Sequence, residues 1–299
     1  MLNERSTHKT ASDTADKGGK RLAMKKLGIV YQPRSQAATE MAERLAAQLQ
    51  SQHYQVWLLT SQPDEHLRQH IEGTDLLLVL GGDGTILSVA RDAALVGVPL
   101  LAINFGRVGF LTELEPDEVE QQLASYLEGD CWMDERAMLQ AVLEANGESE
   151  EFLALNDIVA VRGALPHVIR LKVWVDGHYY NTTVADGMIV STATGSTAYN
   201  LAAGGPILYP QVRGSVLTPI APHLAADRSL ILEPGAAIKL QILTDGQDGV
   251  LSADGQINRK LSDGATVSIT NSPYVTRFLR RRPPTHFYQI LTRKLQSEM

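Results

Sequence analysis

Asp83 sits inside Gly81-Gly82-Asp83-Gly84-Thr85, where three glycines in four residues surround one carboxylate. Glycines at that density either turn the backbone sharply or let a ligand approach it closely. The apolar run 76–80 leads into the loop and has the character of a strand buried on both faces. Ile86, Leu87, Val89, Ala90, Ala93 and Ala94 follow it at helical spacing. Strand, glycine loop and helix in that order aim backbone N–H groups and the positive end of a helix at one spot, where an anion can sit. A carboxylate repels phosphate, so Asp83 is expected to face a hydroxyl, a metal or a proton. A tight turn with a helix-capping Asp accounts for the same residues without any chemistry. No Lys-Ser/Thr follows and the spacing is not GxGxxG, so neither common nucleotide motif fits.

A second unusual stretch runs from Asp186 to Ile207. Its strand enters a loop with five hydroxyl side chains in seven residues: Ser191, Thr192, Thr194, Ser196 and Thr197. A short helix follows and ends at Gly204-Gly205. Hydroxyls and amides at a helix start can hold phosphates or ribose hydroxyls, whereas a plain cap needs only one such residue. Asn156-Asp157 interrupts a strand pattern, so both side chains are expected to be hydrogen-bonded or functional. Asp254-Gly255-Gln256 by itself reads as a hairpin turn. Arg277, Arg280, Arg281 and Arg282 precede Pro283-Pro284 and read as a solvated basic turn, with a phosphate-facing role as the alternative.

The elements that must position these groups alternate over the first half. Strands are expected at 27–31, 56–59, 76–80 and 98–103. Ala38, Met41, Ala42, Leu45, Ala46 and Leu49 make one helical face between the first two, and Pro116 opens a further helix that ends near Gly129. Alternation of this kind predicts a doubly wound parallel α/β domain, with ligands beyond the carboxyl ends of its strands. The loop 81–85 lies at such an end, and so does 104–110, which is a second glycine loop or an ordinary connection. From Met138 to about residue 270 the signals become short β runs, with a hairpin turn at Asp176-Gly177, which predicts a β-rich, antiparallel second domain. A helical stripe through Phe287, Ile290, Leu291 and Leu295 closes the chain. The expected division is a disordered polar tail over 1–23, an α/β domain over 24–130, a β-rich domain over 131–272 and a C-terminal segment over 273–299.

The chain has 299 residues, enough for two cores, and its 44% hydrophobic and 20% charged content is that of a soluble globular protein. One cysteine, Cys131, excludes internal disulfides, is expected to be a small buried hydrophobe, and suits a reducing cytoplasm. No apolar run approaches membrane-spanning length, and a net charge of -7 argues against a broad nucleic-acid surface.

Taken together, Gly81-Gly82-Asp83-Gly84-Thr85, Asn156-Asp157, the Asp186 to Ile207 block and Asp254-Gly255-Gln256 resemble the bacterial NAD kinases over nearly the whole chain after Met24. The glycine loop alone is shared with diacylglycerol and sphingosine kinases. The long block is specific. The resemblance implies a sandwich-like C-terminal domain and a last helix that packs back on the N-terminal one. It implies transfer from ATP or polyphosphate, with Mg²⁺, to the 2′-hydroxyl of the adenosine ribose of NAD. It further implies a homodimer or homotetramer. It makes Asp83 the catalytic base and Gly81, Gly82, Gly84 and Thr85 the phosphate-donor loop. Asp83, Gly84, Asn156, Asp157, His167, Asp186, Thr197, Ala198, Tyr199, Asn200, Leu201, Ala202 and Gln256 would bind NAD, and no residue is assigned as a resident metal ligand. The family usually has Asn-Glu where this chain has Asn156-Asp157, and Pro where it has Ala193. The rival readings are a lipid or sphingoid kinase, which would want an apolar acceptor pocket, and a dinucleotide sensor, which would have no use for Asp83.

Overall fold

The structure, a computed structural model, describes residues 24–62, 66–163, 167–224 and 228–297. The tail 1–23 lies outside the described residues.

The first half follows the alternation. Strand β1 (Lys26–Tyr31) leads to helix α1 (Gln36–Ser51), whose N-cap Ser35 accepts from the Ala38 N–H. The six buried residues of α1 are the six of its expected apolar face. Then come β2 (Gln55–Thr60), α2 (Leu67–Ile71), β3 (Leu76–Gly81), α3 (Asp83–Val96), β4 (Leu100–Asn104) and α4 (Val119–Leu127). Strands β2, β1, β3 and β4 pair in parallel in that order. Alternate residues of β3 face opposite cores: Leu76, Leu78 and Leu80 meet α1 and α4, while Leu77 and Val79 meet α2 and α3. Each of these leucines is 0% exposed, a burial that contributes roughly 2 kcal/mol apiece. Gly97 ends α3 in the left-handed conformation, with φ 73°. Cys131 is half-buried rather than buried, and desolvation pushes its thiol up.

The second half is β-rich: β5 (Trp132–Ala145), β6 (Glu148–Ala154), β7 (Asp157–Arg162), β8 (Ile169–Val175), β9 (His178–Ala185), β10 (Gly187–Thr192), the one-turn α5 (Tyr199–Ala202), β11 (Ser215–Ile220), β12 (Leu230–Leu232), β13 (Ile238–Leu243), β14 (Gly249–Ala253), β15 (Ile257–Leu261) and β16 (Thr266–Arg280). The β8–β9 hairpin turns at Asp176 and Gly177, both with positive φ. One sheet orders β12, β11, β10, β7, β14 and β15, all antiparallel. It packs against β5, β6, β8, β13 and β16, which belong to the sheet that also carries the parallel strands. The join is β16: its first half pairs β13 and β5, its register shifts between Asn271 and Val275, and Phe278 then pairs in parallel with Leu100 of β4.

The last helix, α6 (His286–Ser297), lies against the loop after β4. Phe287 is 6.0 Å from the Phe110 ring, and the Lys294 ammonium is 4.7 Å from the same ring.

Candidate active site

Asp83 opens α3, with Gly82 as N-cap, so the helix starts three residues before Ile86, where the apolar spacing begins. Its carboxylate is half-buried and held, not free in an exposed loop. Oδ2 accepts from the Phe110 N–H at 3.0 Å and Oδ1 from the Leu111 N–H at 3.2 Å. Gly109 makes this approach possible: a Cβ there would lie 2.2 Å from Asp83 Oδ1. The loop after β4 is thus a clamp for the loop after β3, as adjacency of the two strand ends requires. The glycines divide by task. A Cβ on Gly81 would strike the Thr85 side chain at 2.3 Å, while Cβ atoms on Gly82 and Gly84 would meet nothing within 4 Å. The first N–H groups of a helix have no intrahelical acceptor, so the open surface over Gly82 and Gly84 is where an anion can be received.

Asn156-Asp157 stands at the start of β7, and Asp254 organises it. The Asp254 carboxylate accepts from the N–H groups of Leu155 at 2.8 Å, Asn156 at 2.7 Å and Asp157 at 3.1 Å. The hairpin turn read from Asp254-Gly255-Gln256 is there, between β14 and β15, but its Asp is a brace for a second strand. The Asp157 residue is 5% exposed. Burial pushes that carboxyl up to about 7, and the Asp254 charge adds to the shift. Burial likewise raises Asp254 to about 6, against the three N–H groups and the Arg91 charge.

These raised values set a stability trend. Between the ordinary carboxyl range, about 3.9, and the raised values the folded chain binds more protons than the unfolded one, so this pair stabilises the fold less as pH rises. The loss runs to about pH 7 and then levels off. Urea midpoints of wild type and Asp157→Asn should therefore converge at pH 5 and separate by pH 8, with the variant gaining as pH rises. A constant difference across that range would remove the assignment.

The hydroxyl-rich loop departs from its sequence reading. Ser191, Thr192 and Ser196 are at most 1% exposed, and their hydroxyls are used inside the protein. Ser191 donates to the Asn156 carbonyl, Thr192 to the Leu155 carbonyl at 2.6 Å, and Ser196 to the Ala193 carbonyl while accepting from the Leu208 N–H. Thr197 donates to the Thr194 carbonyl. A tight buried loop has backbone groups that its own geometry cannot pair, and these hydroxyls satisfy them. Asn200, also 0% exposed, donates to the Ser196 and Pro206 carbonyls and accepts from Thr218, so its side chain has nothing left to offer a ligand. Ala198, Tyr199 and Ala202 are exposed, and Thr197 and Leu201 are half-buried.

Not all expected residues come together. Ser191 pairs with Asp157, but Asp186 precedes the opposite end of β10 and its carboxylate is held by Arg162 Nε at 2.8 Å. Five strand residues separate these ends, roughly 17 Å at about 3.4 Å per residue. His167 lies with Arg162 around a separate cavity of about 260 Å³. Gln256, in contrast, lines a cleft of about 440 Å³ with Asp254, Ser88, Arg91 and Asp92, which connects the hairpin to the helix that Asp83 opens.

The arginines are not a solvated turn. Arg277 and Arg280 belong to β16, and every member meets a carboxylate: Arg277 with Glu135, Arg280 with Glu113 and Asp134, Arg281 with Asp130, and Arg282 with Glu118 at 2.6 Å. Sequence reasoning missed Asp134 and Arg136, 3% and 7% exposed. Two charges on the inward face of a strand were the available signal, since buried charges must be paired. Burial would raise Asp134, but the hydrogen bond and charge of Arg136, joined by Arg280, hold its carboxyl below the ordinary range.

Two family models match this chain: the ATP-NAD kinase N-terminal domain over residues 60–131 and the ATP-NAD kinase C-terminal domain over 155–281. An NAD kinase of Dehalococcoides mccartyi is 40% identical over 275 residues, covering 91% of this chain and 96% of that protein. The chain belongs to the NAD kinase family. Another NAD kinase, from Citrifermentans bemidjiense, is 41% identical over 286 residues, covering 91% of this chain and 99% of that one. Among solved structures, yeast NADH kinase complexed with NADH superposes with a TM-score of 0.78 at 25% identity, over 87% of this chain and 84% of that chain. An Archaeoglobus fulgidus NAD kinase in complex with ATP gives 0.73 at 25% identity, over 91% and 99%. The family's N-terminal match contains the Asp83 loop and its clamp, and its C-terminal match contains Asn156-Asp157, Asp186, the 191–202 loop and the Asp254 hairpin. The similar proteins do not favour a lipid kinase or a sensor.

Proposed function

We propose that this chain is an ATP-dependent NAD kinase that transfers the terminal phosphate of ATP to the 2′-hydroxyl of the adenosine ribose of NAD. The observation that carries the reading is the Asp83 clamp. A carboxylate has about four acceptor positions, and the Phe110 and Leu111 N–H groups occupy two. Those that are left can take a hydroxyl proton, at the first turn of α3, where Gly82 and Gly84 carry no side chain and a Cβ would meet nothing within 4 Å. The ribose oxygen attacks the terminal phosphorus, the bond to the ADP oxygen breaks, and the proton passes to Asp83. Phosphoryl transfer asks little more of a protein than position and charge neutralisation. Mg²⁺, when bound with the triphosphate, would supply part of that neutralisation.

In this reading the 24–130 unit supplies the donor loop and the base. The 131–272 unit supplies NAD contacts from Asn156, Asp157, Gln256, the Thr197, Ala198, Tyr199, Leu201 and Ala202 surface and the Asn200 backbone. The desolvated Asp157 carboxyl supports a ribose contact there. Asp186 and His167 are too far along β7 and β10 to join the same contacts, which gives the homodimer or homotetramer a role: one protomer would lend them to its partner's NAD. A cytoplasmic setting fits the single cysteine. Among the described residues no helix is long and apolar enough to cross a membrane.

A donor-by-acceptor panel tests the assignment. NAD with ATP and Mg²⁺ should give NADP. Nicotinamide mononucleotide, which lacks the adenosine ribose, and diacylglycerol should give no product. Turnover of the mononucleotide at the NAD rate would overturn the choice of hydroxyl, and a polyphosphate arm assigns the donor.

A further inference from the structure

We infer that Arg280 is a positioning residue for phosphoryl transfer, acting on Asp83 through the backbone of the loop that clamps it. The inference rests on the reading of Asp83 as the base. Arg280 ends β16, which runs parallel beside β4 toward the carboxyl edge of the sheet where the Asp83 loop lies. It is 6% exposed. Its Nη1 donates to the Thr112 carbonyl at 3.2 Å and to Glu113 Oε2 at 3.3 Å. Thr112 directly follows Phe110 and Leu111, whose N–H groups hold the two oxygens of Asp83. The other Glu113 oxygen takes the N–H groups of Arg281 and Arg282 and the Tyr126 hydroxyl, which closes the end of β16 onto this loop.

The same guanidinium also reaches the acceptor side. Arg280 Nε donates to Asp134 Oδ2, and that oxygen also accepts from Arg136 Nε at 2.8 Å. Arg136 Nη1 in turn reaches Thr194 Oγ1 at 3.4 Å, inside the loop after β10. One buried carboxylate between two arginines therefore ties the clamp of the base to the loop that leads into α5. Stability alone is a poor reason for this arrangement. Buried ion pairs are often no better than apolar packing of the same volume, and Arg280 Nη2 has no partner among the described residues. What the network does provide is direction, because charge-assisted hydrogen bonds fix angle as well as distance.

The test compares wild type with Arg280→Met and Arg280→Lys, measuring melting temperature, NAD affinity by calorimetry, and kcat per NAD-binding site at a temperature where each protein is fully folded. Arg280→Met should lower kcat about 10–100-fold, the usual effect of a misplacement near 1 Å, with NAD affinity within about threefold of wild type. Arg280→Lys keeps the charge but not the planar fork, so it should recover melting temperature more fully than kcat. A Met variant whose kcat falls less than about fivefold, or whose NAD affinity falls in the same proportion as kcat, makes Arg280 a brace of the fold and overturns the inference. If the Met variant does not fold, Lys decides, with wild-type kcat overturning the inference. Wild type assayed alongside separates the two claims: no NADP from wild type fails the functional reading, whereas equal rates fail only this one.

Discussion

Asp83→Asn is expected to lower turnover about 10²–10⁴-fold, the usual worth of a general base. Asn preserves size and one acceptor but cannot take the ribose proton. It also faces the Phe110 and Leu111 N–H groups with one oxygen and one NH₂, so one donor of the clamp loses its partner. That loss should cost roughly 1–2 kcal/mol of stability, a cost that an exposed carboxylate would not show. NAD affinity should change far less than the rate, because the proposed NAD groups lie on other elements. A steady-state assay with calorimetry on the same preparation checks all three. Near-normal turnover would leave Asp83 as a structural acceptor for the Phe110 and Leu111 N–H groups and remove its role as base.

Gly109→Ala should be nearly as damaging without touching a reacting group. The added Cβ would stand 2.2 Å from Asp83 Oδ1 and 3.2 Å from Thr112 Oγ1. No carbon tolerates such an approach, so the carboxylate or the clamp must move by about an ångström, and displacement on that scale costs on the order of 10²-fold in rate. Ordinarily an exposed-loop Gly→Ala exchange is close to neutral or mildly stabilising. A variant with wild-type kcat would mean that the clamp is not the geometry in which Asp83 works.

Much of this was readable from residue order. The 76–80 run, the glycines and the spaced apolar residues after them become β3, the loop and α3, because a doubly buried strand and an amphipathic helix are local patterns. The six-residue face of α1 and the Asp176-Gly177 hairpin are legible for the same reason. What escaped depends on partners far away in the chain. The Thr192 hydroxyl looks ready for a ligand until the Leu155 carbonyl, 37 positions earlier, takes it. Arg280 looks solvated until Asp134 and Glu113, 146 and 167 positions earlier, are beside it. Asp254 looks like any turn residue until three N–H groups from the start of β7 converge on it. Sequence pattern reports which groups want partners, and only topology says which partners are near.

The long strand β16 has a mechanical consequence. A two-domain kinase joined by a flexible linker can close around its substrates like a pair of jaws. Here the halves share one strand, hydrogen-bonded to β5 along most of its length and to β4 near its end. Any change in the gap between the Asp83 loop and the Asp254 hairpin must be absorbed as twist along that strand, and the irregular step between Asn271 and Val275 is where its ladder is weakest. On this architecture, relative movement of the two halves is expected as a small rotation about that strand, concentrated at the irregular step, rather than as the swing of a hinge.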